Sequence, residues 1–215
     1  MNHSKGHTKD HSKGQEMEDS ITEESGREPK DVAIILLKAT SLPDERIFLR
    51  MDLPKYTTVD YYRMACNLLF KCQRCGTCCA TGNPIRVRPE DAALLARHFK
   101  IPLSKAMKKY IAGDPDNPER LVFKHILPCK FYDALERGCK IYEARPWSCR
   151  IFPFLGIYGS EDRVKVNESC PGSVETMKVL MASLEEARSD PSVLALNPED
   201  IMAAKLELRA VLDSI

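Results

Sequence analysis

The sequence predicts an α+β fold in which helix dominates: a compact cysteine-rich core with short strands, closed by C-terminal helices. Three observations predict it. Four cysteines fall within eight residues near the middle of the chain, short apolar runs of strand length flank them, and capped segments of helical character fill the C-terminal part.

Taken in order, residues 1–30 form a His/Lys-rich tail, expected to be disordered. Its quasi-repeat around His3, His7 and His11 has no apolar content, so it buries too little surface to offset chain entropy. Residues 31–215 read as a single domain, with a motif core over about 61–171 and C-terminal helices over 172–215. Residues 32–37 (VAIILL) are a continuous apolar run, expected as a buried strand, and residues 46–51 as a second strand after the turn signal at Leu42, Pro43 and Asp44. Thr57 or Thr58 caps a helix expected over 59–71, with Val59, Tyr62, Cys66, Leu69 and Phe70 on its apolar face. Pro89, Glu90 and Asp91 open a helix that ends near Lys100. A further helix starts by Pro102 and ends near Gly113. A turn over 114–117 follows, then a strand over 121–126. Ser173 is expected to cap a helix over 174–188, and Asn197 with Pro198 opens the last one.

Composition bounds the function. Apolar residues make up 43% and charged residues 29%, an ordinary balance for a globular domain. The formal net charge of +1 gives no general case for nucleic acid, a membrane surface or an acidic substrate. No apolar run is long enough for a membrane span, and the polar N-terminus lacks the apolar stretch of a signal peptide. The expected location is cytoplasmic. In a reducing compartment disulfides are rare, and an odd count of nine cysteines does not close a disulfide framework. The cysteines therefore point to metal binding or catalysis.

The central motif is Cys72, Cys75, Cys78 and Cys79. Two-residue spacers let a turning backbone aim successive sulfurs at one centre, and Gly76 supplies the positive φ such a turn needs. Thiolates are metal ligands, and a bound cation lowers the thiol pKa. Cys129, Cys139 and Cys149 follow at ten-residue intervals, and Cys170 completes eight candidate ligands. Cys66, within a helix, reads as core packing. Eight thiolates suit two four-ligand sites, or one site with spare thiols. Adjacent Cys78 and Cys79 are expected to diverge rather than share one ion. Cys72, Cys75 and Cys78 with the distant Cys170 and Pro171 resemble a ferredoxin arrangement, whereas structural zinc more often uses separated knuckles. Iron–sulfur is the first reading and zinc the second. Arg145 and Arg150 are the cations expected to offset thiolate charge. His98 and His125 read as packed or surface residues, and Tyr142, Trp147 and Phe152 as packing around the site.

These residues resemble the CxxCxxCC cysteine-cluster family, often called YkgJ-like and described as zinc- or iron-chelating. The resemblance rests on Cys72, Cys75, Gly76, Cys78 and Cys79. It extends through Pro128 to Phe131, Gly138 to Pro146, Cys149 and Arg150, and the Phe152, Pro153, Phe154 run, covering about residues 61–171. It implies chelation of zinc or iron by the cysteines. One branch resembles flagellin lysine N-methylases, which depend on S-adenosylmethionine and an iron–sulfur cluster. This chain shows neither a Gly-x-Gly-x-Gly turn after a strand nor a Cys-x-x-x-Cys-x-x-Cys triplet, so S-adenosylmethionine has no motif to hold it. The expected function is a metal-binding module for redox work, metal handling or assembly, with another protein as partner. The alternatives are an iron–sulfur-dependent lysine N-methylase and a structural zinc domain. No catalytic residue is identifiable.

Overall fold

The structure, a computed structural model, describes residues 27–81, 85–124, 128–155 and 163–215. The tail repeat at His3, His7 and His11, and also His125, lie outside the described residues. The fold is α+β with helix dominant, as expected.

One core is helical. Helix α1 (Pro29–Thr40) packs against α3 (Thr58–Leu69), α8 (Pro171–Ala187) and α10 (Pro198–Asp213). Residues 32–37 are thus the middle of a helix, not a strand. Pro29 sits in the first turn, Asp31 follows it, and Lys38 lies in the last turn, all favourable helix-end choices. The run lacks helical periodicity because three helices surround it. Val32, Ala33, Leu36 and Ala39 are buried, and Ile34, Ile35 and Leu37 also pack on the core. The helix also begins two residues before the expected start of the body.

The second expected strand is corrected as well. Asp44–Ile47 is a short helix, α2, anchored by the carboxylate of Asp44. That carboxylate, fully buried, accepts from Lys205 Nζ at 2.8 Å, from Tyr61 Oη at 2.8 Å, from the Tyr56 N–H at 2.7 Å and from Arg209. All these partners lie further along the chain, Lys205 and Arg209 on the last helix, so nothing local in the sequence announces the cluster.

The second core lies beneath α5 (Pro89–His98), α6 (Leu103–Tyr110) and a three-stranded antiparallel sheet. Its strands run β1 (Arg86–Val87), β3 (Asn117–Phe123), β2 (Ile111–Asp114), with Arg86 opposite Val122 and Ile111 opposite Phe123. Tyr110, Phe123, Phe99 and Phe131 stack in this core. The helix expected to run to Gly113 stops at Tyr110, because Ile111 turns into β2 and pairs with Phe123. A two-stranded hairpin, β4 (Tyr132–Asp133) and β5 (Gly138–Cys139), follows, then a 3-10 turn at Tyr142–Ala144 and α7 (Trp147–Ile151).

Asp91 joins the two cores. Fully buried, it accepts the Arg88 N–H at 2.7 Å, the Trp147 N–H at 2.9 Å and Arg150 Nη2 at 3.1 Å. It therefore starts α5 and also holds α7 in place.

Candidate metal centre

The cysteine run leaves α3 and turns back on itself. Arg74 takes φ +53° and Gly76 takes φ +80°, the left-handed conformations that reverse the chain between Cys72 and Cys78. Gly76 has a second reason to be glycine: a Cβ there would meet the Tyr132 ring at 2.3 Å. Tyr132 Oη also reaches the Cys75 carbonyl at 3.4 Å, so the β4–β5 hairpin braces the run. The Gly76 carbonyl then accepts the N–H groups of Cys79 and Ala80, both at 2.9 Å, and starts a short helix, α4 (Thr77–Thr81). Cys78 and Cys79 lie on that turn.

Their sulfurs stand 4.0 Å apart, where divergence was expected. A tetrahedral zinc site, with Zn–S of about 2.3 Å, separates its sulfurs by about 3.8 Å. A hydrogen bond from Cys79, helped by the Arg145 charge, holds the Cys78 thiol below the ordinary thiol range, although burial opposes this. The Cys79 thiol is held above that range by its bond to Cys78, by burial and by the neighbouring sulfurs of Cys78, Cys129 and Cys139.

The other cysteines arrive from four different elements. Cys129 precedes the hairpin, and its N–H donates to the Cys79 carbonyl at 2.7 Å. Cys139 lies on β5 opposite Tyr132. Cys149 lies on α7, the helix that Asp91 holds by its first N–H. Burial pushes the Cys149 thiol up to about 12, with the sulfurs of Cys78, Cys129 and Cys139 adding to the effect and Arg145 opposing it. Burial also raises the Cys139 thiol, and Cys129 and Cys78 add to it. Cys170 caps α8 and is buried; its thiol is raised by burial and by Cys75, Cys78 and Cys72. Gly172 explains the approach, since a Cβ there would come within 2.6 Å of the Lys71 carbonyl, right beside Cys72. Helix α8 therefore starts at Pro171, with Cys170 as its cap. The expected cap, Ser173, lies inside it and instead accepts the Asn167 N–H at 3.1 Å.

The structure thus gathers all eight sequence-predicted cysteines around one region. Cys66 is apart, fully buried in the helical core, with burial alone pushing its thiol up to about 12. Of the two arginines bracketing Cys149, Arg145 lies over the Tyr142 ring, and its charge helps lower the Cys78 thiol. Arg150 instead binds Asp91 and the Ile215 carbonyl, at 3.0 Å and 2.7 Å from its Nε and Nη2, and is a structural tie. His98 is exposed at the end of α5 beside Phe99. Tyr142 lies under the Arg145 and Arg74 guanidiniums, and Trp147 under Arg88. Asp91 and Tyr132 are the residues sequence reasoning missed. Only the Pro89, Glu90, Asp91 helix start carried a signal, and it pointed to a cap rather than to the site.

Among the described residues, no three His, Cys, Asp or Glu side chains surround a common ion position. The donor set is all sulfur, with no carboxylate among the sulfurs named above. Such soft donors fit zinc or iron rather than magnesium or calcium.

A crowded thiol set drawn from a tight run, a hairpin and two helix starts defines a cysteine-cluster metal-binding domain. Residues 71–171 match the model of the CxxCxxCC family, described as "Putative zinc- or iron-chelating domain". The span takes in all eight gathered cysteines and leaves out Cys66. No curated protein and no solved structure matches the chain. Among the described residues no helix is long and apolar enough to cross a membrane.

Proposed function

We propose that this protein is a redox or assembly module holding an iron–sulfur cluster on Cys72, Cys75, Cys78 and Cys170. One observation supports this reading above others: α8 starts beside the three-cysteine run, with Gly172 packed so closely on the Lys71 carbonyl that a Cβ would come within 2.6 Å of it, which brings the distant Cys170 to the Cys72 end of the run. A run at two-residue spacing joined by a remote cysteine before proline is a cluster-binding arrangement. Zinc is the second reading, favoured by the 4.0 Å spacing of the Cys78 and Cys79 sulfurs. Another protein, in the cytoplasm, is the proposed partner.

Anaerobic purification decides the metal. Iron with acid-labile sulfide and visible charge-transfer absorption is the expected result. A colourless protein with stoichiometric zinc would overturn the redox reading in favour of the structural one.

A further inference from the structure

We propose that the exposed face formed by Lys100, Lys108, Lys109, Lys124 and Lys130 is a docking surface for a carboxylate-rich segment of a partner protein. This rests on the reading that the partner is a protein, and it holds whichever metal the thiols bind.

The aromatic core gathers these lysines. Phe99, Tyr110, Phe123 and Phe131 pack with ring centroids 5.1 to 6.3 Å apart. Each ring has a lysine beside it in sequence, Lys100, Lys109, Lys124 and Lys130 in turn, and Lys108 precedes Lys109. Packing the rings from the ends of α5, α6 and β3 and from the approach to β4 therefore draws those lysines to one rim. All of them are exposed. Their side chains converge: Lys109 Nζ and Lys130 Nζ each lie 5.1 Å from the Tyr110 ring centre, and Lys124 Nζ donates to the Lys108 carbonyl at 2.9 Å.

Counter-charge is missing from this rim. Among the described residues, no carboxylate forms a salt bridge with any of these lysines. The β2–β3 pair keeps its acids, Asp114, Asp116 and Glu119, at the end opposite Lys124, because Ile111 pairs with Phe123 and Asp114 with Asn117. Asp133 is held by Lys140. The C-terminus of α6 attracts cations, but its dipole amounts to about half a negative charge, enough for one lysine rather than the whole set. Like charges gathered in this way repel one another, and a partner's carboxylates relieve that repulsion.

The same asymmetry runs through the chain. Residues 71–155 carry sixteen Lys and Arg against eight Asp and Glu, and the rest of the chain sixteen against twenty-three, so the net +1 hides a basic part and an acidic part. That division favours a short acidic segment over a nucleic acid. A long polyanion would extend beyond the lysines toward the acidic remainder, and Tyr110 and Phe123, 3% and 4% exposed, offer no ring for a base to stack on. Lys130 follows Cys129, whose N–H donates to the Cys79 carbonyl at 2.7 Å, so a partner seated on this face lies beside the thiols.

The test is fluorescence anisotropy of a labelled oligoglutamate peptide titrated with the anaerobically purified full chain, with far-UV circular dichroism and metal content as controls. The wild type should bind, with a Kd that rises as salt is added. K100E/K109E should weaken binding about tenfold or more. R50E/K178E makes the same charge change at exposed positions on the other core and should stay within about twofold of wild type. No binding by the wild type, binding indifferent to salt, or equal losses in the two variants would overturn the docking face. Tighter binding of single-stranded DNA of equal charge, or of phosphatidylserine vesicles, that K100E/K109E abolishes would also overturn it, assigning the face to nucleic acid or membrane. If K100E/K109E loses helicity, K100Q/K109Q decides: it should weaken the peptide about threefold, and unchanged affinity would overturn the proposal. A colourless zinc protein that binds the peptide as described would defeat the cluster reading alone. An iron–sulfur protein that does not bind it would defeat the docking face alone.

Discussion

Gly76 shows how much one residue can settle. Its φ of +80° reverses the cysteine run, and its missing side chain admits the Tyr132 ring. Gly76→Ala should cost about 1–2 kcal/mol for the left-handed backbone alone, before any displacement of Tyr132. The expected result is a lower metal content per chain and a lower Tm. Unchanged values for both would mean that the turn does not shape the site. Asp44 is the second telling residue. Burial works to raise its pKa, but hydrogen bonds from Lys205, the Tyr56 N–H and Tyr61 outweigh that and hold the carboxyl below the usual range. A depressed folded-state pKa means stability that is fully present above the unfolded value, about 4, and lost as pH falls through the folded one. Asp44→Asn should therefore cost about 3–5 kcal/mol at neutral pH, because it leaves Lys205 buried without a counter-charge. Urea unfolding should show the gap between wild type and variant narrowing at acid pH. An equal gap at both pH values would refute a charged role for Asp44.

At the scale of elements, α7 is short and owes its place to a carboxylate on another helix. Asp91 binds its first N–H and also Arg150, which in turn ties the Ile215 carbonyl. Asp91→Ala should lower stability by about 3 kcal/mol, since a buried acceptor of charged and backbone donors is lost. It should also speed alkylation of Cys149 while leaving Cys66 slow. Equal protection of Cys149 in the variant would show that α7 is held by packing instead. The α1 helix makes the opposite point. Its sequence reads as a strand because, besides the buried Val32, Ala33, Leu36 and Ala39, the partly buried Ile34, Ile35 and Leu37 are apolar too, which hides the helical period in an unbroken run.

At the scale of the whole molecule, two hydrophobic cores carry the burial, and residues 128–150 lend them little beyond Ile141, Ala144, Phe131 and Trp147. Residues 128–150 are mostly turns, two-residue strands and short helices. A segment of this kind depends on cross-links for its order, and metal binding is coupled to folding. Stripping the metal with a chelator should lower the Tm and open residues 128–150 to protease before the helices of the first core. Cleavage spread evenly over the chain would show that metal and fold are not coupled locally.

The sequence by itself determined the helix-dominant α+β class, a cap at Thr57 or Thr58, the cap at Asn197 and the glycine turn. Each is a local signal, carried by spacing or by one residue's conformational preference. Only the tertiary structure decided that α1 and α2 are helices, that Arg150 is tied to Asp91, and that the Cys78 and Cys79 sulfurs stand 4.0 Å apart. It also decided which cysteines are neighbours. Cys170 reaches Cys72 through the close contact of Gly172 with Lys71, and Cys129 reaches Cys79 through a backbone hydrogen bond. Both contacts join residues tens of positions apart. Sequence spacing carries no record of such distances, because they arise from how finished elements pack.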